Sequence, residues 1–345
     1  PAIPKKADSD KPLDQRVLSV FSALYRVEMG AWYKILAPWF HGDLHPSIHG
    51  GVRNHEALEV SWDAQADIEE ALLQDIDMLF SAVDYFKYFD SFDHLWVHGF
   101  LIRIGFPSVL ADMMLNMYLA IQRYIKIGKA YGLAQIVYNG MGQGDHGALF
   151  PAVALVSGQF YMLDLLYPSV RKGACIDDRN FRGSYNDVLG TYHAVYDFDI
   201  AAGHMLQASK NVMMATTQRS RDKLKKLVLH GHKVSCPSHT ILTGDVVSTH
   251  LRKYTEASNQ RMLAATCTAA RISRAPLDKR QKVKAIGCAA IPKAIFATQW
   301  NIPSFPAMGK LRSAIMQGTW GNKARMRCVE ILMAVHFDPA RIDPY

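Results

Sequence analysis

Two strand-like runs in this chain end in acid, and that limits the folds open to it more than any other feature. Ser81 to Tyr88 reads as a strand carrying Asp84, and Gly173 to Ile176 reads as a short strand closed by Asp177-Asp178. A carboxylate at the end of a buried strand is unfavourable unless a cation or a hydrogen-bond donor meets it. Adjacent carboxylates on a tight turn repel, and a divalent cation beside them stabilises both in the charged form. Asp84 and Asp177 are 93 residues apart, so only a tertiary fold brings them together. Gathered at one place, the three would suit two Mg²⁺ ions about 4 Å apart, the arrangement that serves in-line phosphoryl displacement. An Asp pair is also a common cap for a loop or helix, so the doublet alone does not decide between these uses.

The chain has 345 residues and is 49% hydrophobic, enough for two or three packed subdomains. It contains no apolar run of membrane-spanning length, so no membrane span is expected. Lys5 and Lys6 are followed by no apolar stretch, so no signal peptide is expected. Five scattered cysteines, Cys175, Cys236, Cys267, Cys288 and Cys328, form no Cys-x-x-Cys pair and fit a reduced intracellular compartment, nuclear or organellar. The net charge of +8 is uneven: residues 211–345 hold 22 Lys/Arg against 7 Asp/Glu, and residues 1–210 hold 17 against 24. A basic half of this kind suits a polyanion partner, or equally a solvated basic surface.

Helical spacing runs over Leu18 to Trp39, Ala64 to Leu79, Leu95 to Ile104, Val109 to Ile121, Leu149 to Leu166 and Asn186 to Ala202. Tyr124 to Ile127 and Gln135 to Tyr138 read as two strands around a turn, and from Thr255 onward the pattern is almost wholly helical. The architecture expected is α+β, mixed first, then helical and basic. The loop Asn139-Gly140-Met141-Gly142-Gln143-Gly144-Asp145 opens the long apolar helix; its glycines permit close backbone approach to a substrate, though an ordinary helix-entry loop reads the same way.

The order of these pieces resembles the palm motifs of reverse transcriptases, especially those of non-long-terminal-repeat retroelements and group II introns. Asp84 with Lys87, Phe89, Asp90, Ser91, Asp93 and His94 is similar to the first motif, Asn139-Gly140 with Gln143-Gly144-Asp145 to the second, and Asp177-Asp178 to the third. Ile3-Pro4-Lys5, Gln15 to Val20 and Tyr25-Arg26 resemble the fingers segment, Ala202 to Lys210 resembles the motif with a Lys beside the triphosphate, and residues 276–299 and 310–321 resemble thumb helices. The resemblance implies a right-hand polymerase fold: fingers over 1–75 with 95–140 interleaved, an antiparallel-sheet palm over 76–253 and a helical thumb-like region over 254–345. It implies an RNA-directed DNA polymerase, a nucleotidyltransferase using two Mg²⁺ ions, with an RNA template, a DNA primer and dNTPs as partners. The core is either part of a larger protein or a domesticated retroelement unit.

Residue by residue, the resemblance implies that Asp84, Asp177 and Asp178 are the metal carboxylates. Lys210 would be a proton donor near the pyrophosphate. Phe89 would be an aromatic gate against a ribose 2′-hydroxyl, Gln143 and Gly144 would line the incoming sugar, and Lys5 and Arg16 would hold its phosphates. There are departures. Val17, Gly142 and His146 stand where the family has prolines, Cys175 replaces an aromatic residue, and Gln207 replaces an Asn. They motivate an alternative: a catalytically silent domain serving as a structural or RNA-binding subunit of a larger complex. Two further histidine-rich stretches, His41 to His49 and His230 to His239 with Cys236, have metal-compatible residue types but no standard spacing, and read as loops.

Overall fold

Short polar side chains start the helices where apolar periodicity begins. Ser22 accepts from the Tyr25 amide and opens α1 (Ala23–Gly42), and Glu56 and Glu59 form a capping box at the start of α2 (Ala57–Leu73). The computed structural model describes residues 2–4, 15–17, 19–127, 129–250, 256–298 and 301–320. They divide into two units, Pro1–Thr243 and Gly244–Tyr345.

The first unit begins with β1 (Ala2–Pro4) and β2 (Gln15–Val17), which pair antiparallel. After α1 and α2 come β3 (Leu79–Val83), α3 (His94–Arg103), α4 (Ser108–Ala120) and a hairpin of β4 (Gln122–Ile127) and β5 (Ala130–Ile136). Next are α5 (Leu149–Leu166), β6 (Arg171–Cys175), β7 (Asp178–Gly183), α6 (Tyr185–Ala201), β8 (Val212–Ala215) and α7 (Gln218–Leu224). Three short strands close it: β9 (Val228–Leu229), β10 (His232–Lys233) and β11 (His239–Leu242).

The centre of this unit is a four-stranded sheet in the order β6-β7-β3-β8, antiparallel throughout. Successive side chains of a strand point to opposite faces. On β7, Arg179 points toward α5 and α6, meeting Gln159 and Asp199, while Arg182 meets Asp67 on α2. Helices thus cover both faces. By length and composition α5 is apolar enough to cross a membrane, yet 61% of it is buried inside the fold, with Phe150, Val153, Val156, Phe160 and Leu163 in the core. Its apolar surface suits a helix that the fold encloses over most of its length, while Leu165 and Leu166 at its end stay exposed.

The second unit contains β12 (Asp245–Ser248), α8 (Glu256–Arg274), α9 (Lys279–Ala289), α10 (Ile291–Ile295) and α11 (Phe305–Trp320). Small residues Ala265, Ala269, Ala290 and Ala294 let these helices approach closely around Met262, Ile286, Leu311 and Ile315. Arg271, Arg274, Lys279, Arg280, Lys284, Lys293 and Lys310 remain exposed on them.

An α+β architecture is therefore what the chain adopts. Helices α3, α4, α5 and α6 lie where the periodicity places them, within a residue or two. The strand expected over Ser81 to Tyr88 stops at Val83. Beyond Asp84 the chain passes through Lys87 at φ +49° into a 3₁₀ turn over Tyr88–Ser91, because Tyr85, Tyr88 and Phe92 turn down into the core. The second strand of the hairpin, expected at Gln135 to Tyr138, runs instead over Ala130–Ile136, with a register shift between Tyr124 and Lys126.

Candidate active site

Strand register brings two of the predicted carboxylates to the same end of the sheet. In the β3–β7 pair Val83 faces Arg179 at the end of the ladder, and Asp84 and Asp178 are the next residues beyond that pair on the two chains. Asp177 belongs to the two-residue loop Ile176-Asp177 that joins β6 to β7, with Cys175 paired to Asp178 across it. All three aspartates therefore stand at one end of the central sheet.

That hairpin loop is built under strain. Ile176 has φ +59°, the left-handed region that a two-residue hairpin normally fills with Gly at its first position. A β-branched residue there is disfavoured and persists only where its surroundings hold it. The hold is visible next door. His49 and Gly50 donate their amides to the Ala174 carbonyl, at 2.9 and 3.4 Å, and Ala174 donates to Ser47 O at 3.0 Å. Gly50 lies so close that a Cβ there would sit 2.6 Å from the Ile176 nitrogen. Sequence pattern gave no sign of this contact.

Asp84 is tied down from a third direction. The segment after α6 runs back along it: Gln207 N donates to Asp84 O (2.8 Å), Asp84 N donates to Asn211 Oδ1 (3.0 Å), and Phe86 N donates to Met205 O (2.9 Å). This delivers Lys210, whose Nζ lies 2.5 Å from Asp84 Oδ2, across 126 residues of sequence. Both are partly solvent-exposed, 56% for Lys210 and 29% for Asp84, so the pair is worth about 1 kcal/mol or less and exchanges readily. Asp84 Oδ1 accepts the Tyr85 amide at 2.8 Å.

The second motif is laid against the first by backbone bonds. Gly140 N donates to Phe92 O and Met141 N to Phe89 O, each at 2.7 Å. Phe89 is half-buried, Gln143 is half-buried and Gly144, at φ +103°, is exposed. Gly142 and His146 stand where the family has prolines, and here other bonds fix the loop. Asp145 accepts from Tyr118 Oη (2.6 Å), Tyr25 Oη (3.1 Å) and Gly147 N (3.0 Å), and Gly142 N donates to Tyr118 Oη (3.1 Å). Burial, then the neighbouring Asp145 charge, pushes the Tyr25 and Tyr118 phenols well up. A Cβ at Gly142 would lie 2.4 Å from the Phe21 ring, so this site has no room for a proline.

Beneath the carboxylates lies a buried charge knot that the sequence did not announce. Arg179, fully buried, donates to Gln159 Oε1 (2.7 Å), Asp199 Oδ1 (3.1 Å) and Tyr88 Oη (3.1 Å), and its guanidinium stacks over Tyr85 at 4.3 Å. Tyr85 Oη donates to the other Asp199 oxygen at 2.7 Å. Nearby His204 lies within 2.6 Å of Ser91 Oγ through Nδ1, while its buried Nε2 has no partner. Burial first, then the Arg179 charge, lowers its pKa to about 4. The unfolded chain takes a proton near pH 6.5 and the folded chain only near pH 4, so His204 supports stability above pH 6.5 and loses that support as pH falls through this window. The total at stake is about 3 kcal/mol. Urea midpoints measured from pH 7 to pH 4 are expected to fall steeply, and His204→Asn, which cannot take the proton, to flatten the slope. An unchanged slope in the variant would assign the acid sensitivity elsewhere.

Several expectations are placed differently. Lys5 lies outside the described residues, and Arg16 is described only as backbone in β2, paired with Ile3. Burial, then Asp178 and Asp177, raises the Cys175 thiol to about 11. The histidine-rich stretch His230 to His239 does not converge on a metal-sized centre; His230 stacks on Tyr196 at 3.6 Å and meets His193 at 3.1 Å. The three aspartates share a sheet end, but their oxygens do not all gather within 4.8 Å. Among the described residues that spacing is met by His49, His55 and Glu59.

No family model matches the sequence, and no curated protein matches it. Solved structures do. Telomerase from Candida tropicalis in complex with a TWJ fragment of telomeric RNA is 14% identical, over 90% of this chain and 52% of that one, with a TM-score of 0.41. Apo telomerase from Candida tropicalis is 13% identical, over 86% and 48%, with a TM-score of 0.45. Telomerase from Candida albicans in complex with the TWJ fragment is 10% identical, over 90% and 58%, with a TM-score of 0.41. This chain spans about half the length of those chains.

Proposed function

We propose that the chain is a reverse-transcriptase-like nucleotidyltransferase of the retroelement type, extending a primer 3′-hydroxyl with dNTPs on an RNA template. The observation that supports this most is that the β3–β7 ladder ends at Val83 and Arg179, next to Asp84 and Asp178, with Asp177 in the adjoining loop. In this reading the first unit is fingers and palm, and the helices of the second are a thumb whose exposed Lys and Arg track duplex phosphates.

An all-oxygen carboxylate set suits Mg²⁺, a hard cation. The field at the sheet end also suits a cation, since Asp177 and Asp178 oppose ionisation of the Cys175 thiol, and Asp177 that of the Tyr88 phenol. Asp84, Asp177 and Asp178 would hold the two ions, which when bound would acidify the attacking hydroxyl and stabilise the leaving pyrophosphate. Lys210 would exchange its weak pairing with Asp84 for the triphosphate and give a proton to the leaving group. Gln143 and Gly144 would line the incoming sugar, with Lys5 and Arg16 on its phosphates. Phe89, fixed through its carbonyl to Met141, would exclude a 2′-hydroxyl by contact.

Primer extension by the full chain with Mg²⁺, dNTPs and an RNA template tests the proposal, and metal-dependent extension is the expected result. The alternative, a silent RNA-binding subunit, draws on the Asp84–Lys210 ion pair, which already neutralises a metal ligand. RNA binding without any extension would establish that alternative instead. If extension occurs, Phe89→Ala is expected to raise ribonucleotide use relative to dNTPs by about tenfold or more, the worth of a small steric contact. An unchanged ratio would remove Phe89 as the gate.

A further inference from the structure

We propose that His49, His55 and Glu59 form a binding site for one divalent transition-metal ion of the zinc class, separate from the aspartate site, which braces the strained hairpin at Ile176. The three ligand atoms are already together. Glu59 Oε2 lies 2.7 Å from His49 Nδ1 and 2.6 Å from His55 Nδ1, and the two nitrogens are 3.2 Å apart. Those lengths put an angle of roughly 74° at the oxygen, much tighter than the ~120° separation at which two N–H donors settle on one carboxylate oxygen. Three lone-pair atoms in a small triangle are what one cation satisfies and what hydrogen bonds satisfy poorly.

Ligand atoms about 2.0–2.1 Å from a tetrahedral Zn²⁺ stand about 3.4 Å from one another. The His49–His55 spacing is close to that already. The two spacings to Glu59 need to open by about 0.7 Å. His55 and Glu59 can supply it because both side chains are 40% exposed, which also gives the ion its path in. His49, at 11% exposure, is the fixed ligand.

The surroundings hold the ligands as outer partners of a metal do. Glu59 Oε1 accepts the Glu56 amide at 3.2 Å in the capping box, which aims Oε2 at the two imidazoles. His49 Nε2, the nitrogen away from the cluster, faces Asp63 Oδ2 at 3.9 Å, one turn further along α2. A carboxylate hydrogen-bonded behind a ligating imidazole fixes its tautomer and raises its basicity, and Asp63 needs to close by about 1 Å to make that bond. Two imidazoles and one carboxylate select Zn²⁺ and its neighbours over Mg²⁺, which prefers oxygen alone.

The site joins the start of α2 to the loop that carries the hairpin. His49 and Gly50 bond the Ala174 carbonyl, and Gly50 packs on Cys175 and Ile176. An ion bridging His49 to Glu59 therefore ties the outer edge of β6 to α2 at Ala174, three residues before Asp177.

The test uses the full chain stripped with a chelator and titrated with Zn²⁺ against a chromophoric competitor. One equivalent is expected to bind, unaffected by millimolar Mg²⁺, and Co²⁺ is expected to give d–d absorption at the same stoichiometry. His55→Ala and Glu59→Gln are each expected to weaken binding a hundredfold or more, Asp63→Asn by about tenfold, and His230→Ala not at all. Both ligand variants alter exposed side chains, and circular dichroism of the metal-free proteins checks that they fold. Amide exchange over residues 171–178 is expected to slow on loading. Absence of saturable binding, or binding that both ligand variants retain within tenfold, would overturn the site. Binding with unchanged exchange over 171–178 would overturn the bracing.

Discussion

Replacing Arg179 with Met is expected to lower the unfolding free energy of the chain by about 3–5 kcal/mol, the usual cost of removing one partner from a buried ion pair. The reason is what Arg179 leaves behind. Asp199, 1% exposed, keeps one hydrogen bond from Tyr85 and loses its cation, while Gln159 Oε1 loses the Arg179 donor and Tyr88 Oη its only donated bond from that side chain. Net stability of a domain is typically about 5–15 kcal/mol, so the loss is a large fraction of the whole. The double variant Arg179→Met/Asp199→Leu should recover part of it, because the uncompensated buried charge is gone, while Gln159, Tyr85 and Tyr88 still lack their partners. Chemical denaturation of the three proteins checks this. A single variant within about 1 kcal/mol of the native chain would mean that the knot is not what holds β7 over α5 and α6.

This knot matters to the carboxylates because side chains alternate along a strand. Arg179 points down into the core, so Asp178, its neighbour on β7, points to the other face; just past the end of β3 Tyr85 also turns into the core beside Asp84. Anchoring the inward Arg179 thus fixes the azimuth of the outward Asp178. The same division explains what could be read in advance. Helices α3 to α6 were legible because their apolar spacing reports burial, which is a local property of a segment. The acidic residues at strand ends were legible because charge there needs a partner. Which partner they found was not legible. Lys210 meets Asp84 only because the 204–211 segment runs back along β3, and Asp199 meets Arg179 only because α6 lies beneath β7. Phe21 against Gly142 and His49 against Glu59 are likewise contacts of tertiary packing, with no periodicity to announce them. Glycine at 142 looked like a weakened proline position in sequence; in the fold it is the space that Phe21 fills.

Asp178→Asn is expected to reduce primer extension by about a thousandfold or more while leaving the fold intact. If Asp178 is a metal carboxylate, as proposed, its loss would withdraw several kcal/mol of charge stabilisation from the reacting phosphate, and about 4 kcal/mol corresponds to a thousandfold in rate. Asn keeps the size of Asp178 and one acceptor oxygen, and the residue stands half-buried at the start of β7 rather than in the knot, so stability should change by no more than about 1 kcal/mol. Lys210→Ala separates the neighbouring role. The Lys210–Asp84 pair is too exposed to matter for stability, but loss of a proton donor at the pyrophosphate costs about a hundredfold in the chemical step. The ordering of the two variants is therefore diagnostic. If Asp178→Asn retains activity while Lys210→Ala loses it, the charge that counts is the cation, and the aspartates are not a metal site. If both lose activity in the stated order with thermal midpoints unmoved, the sheet end acts as an assembled centre, and the strain at Ile176 is part of how its loop is held in place.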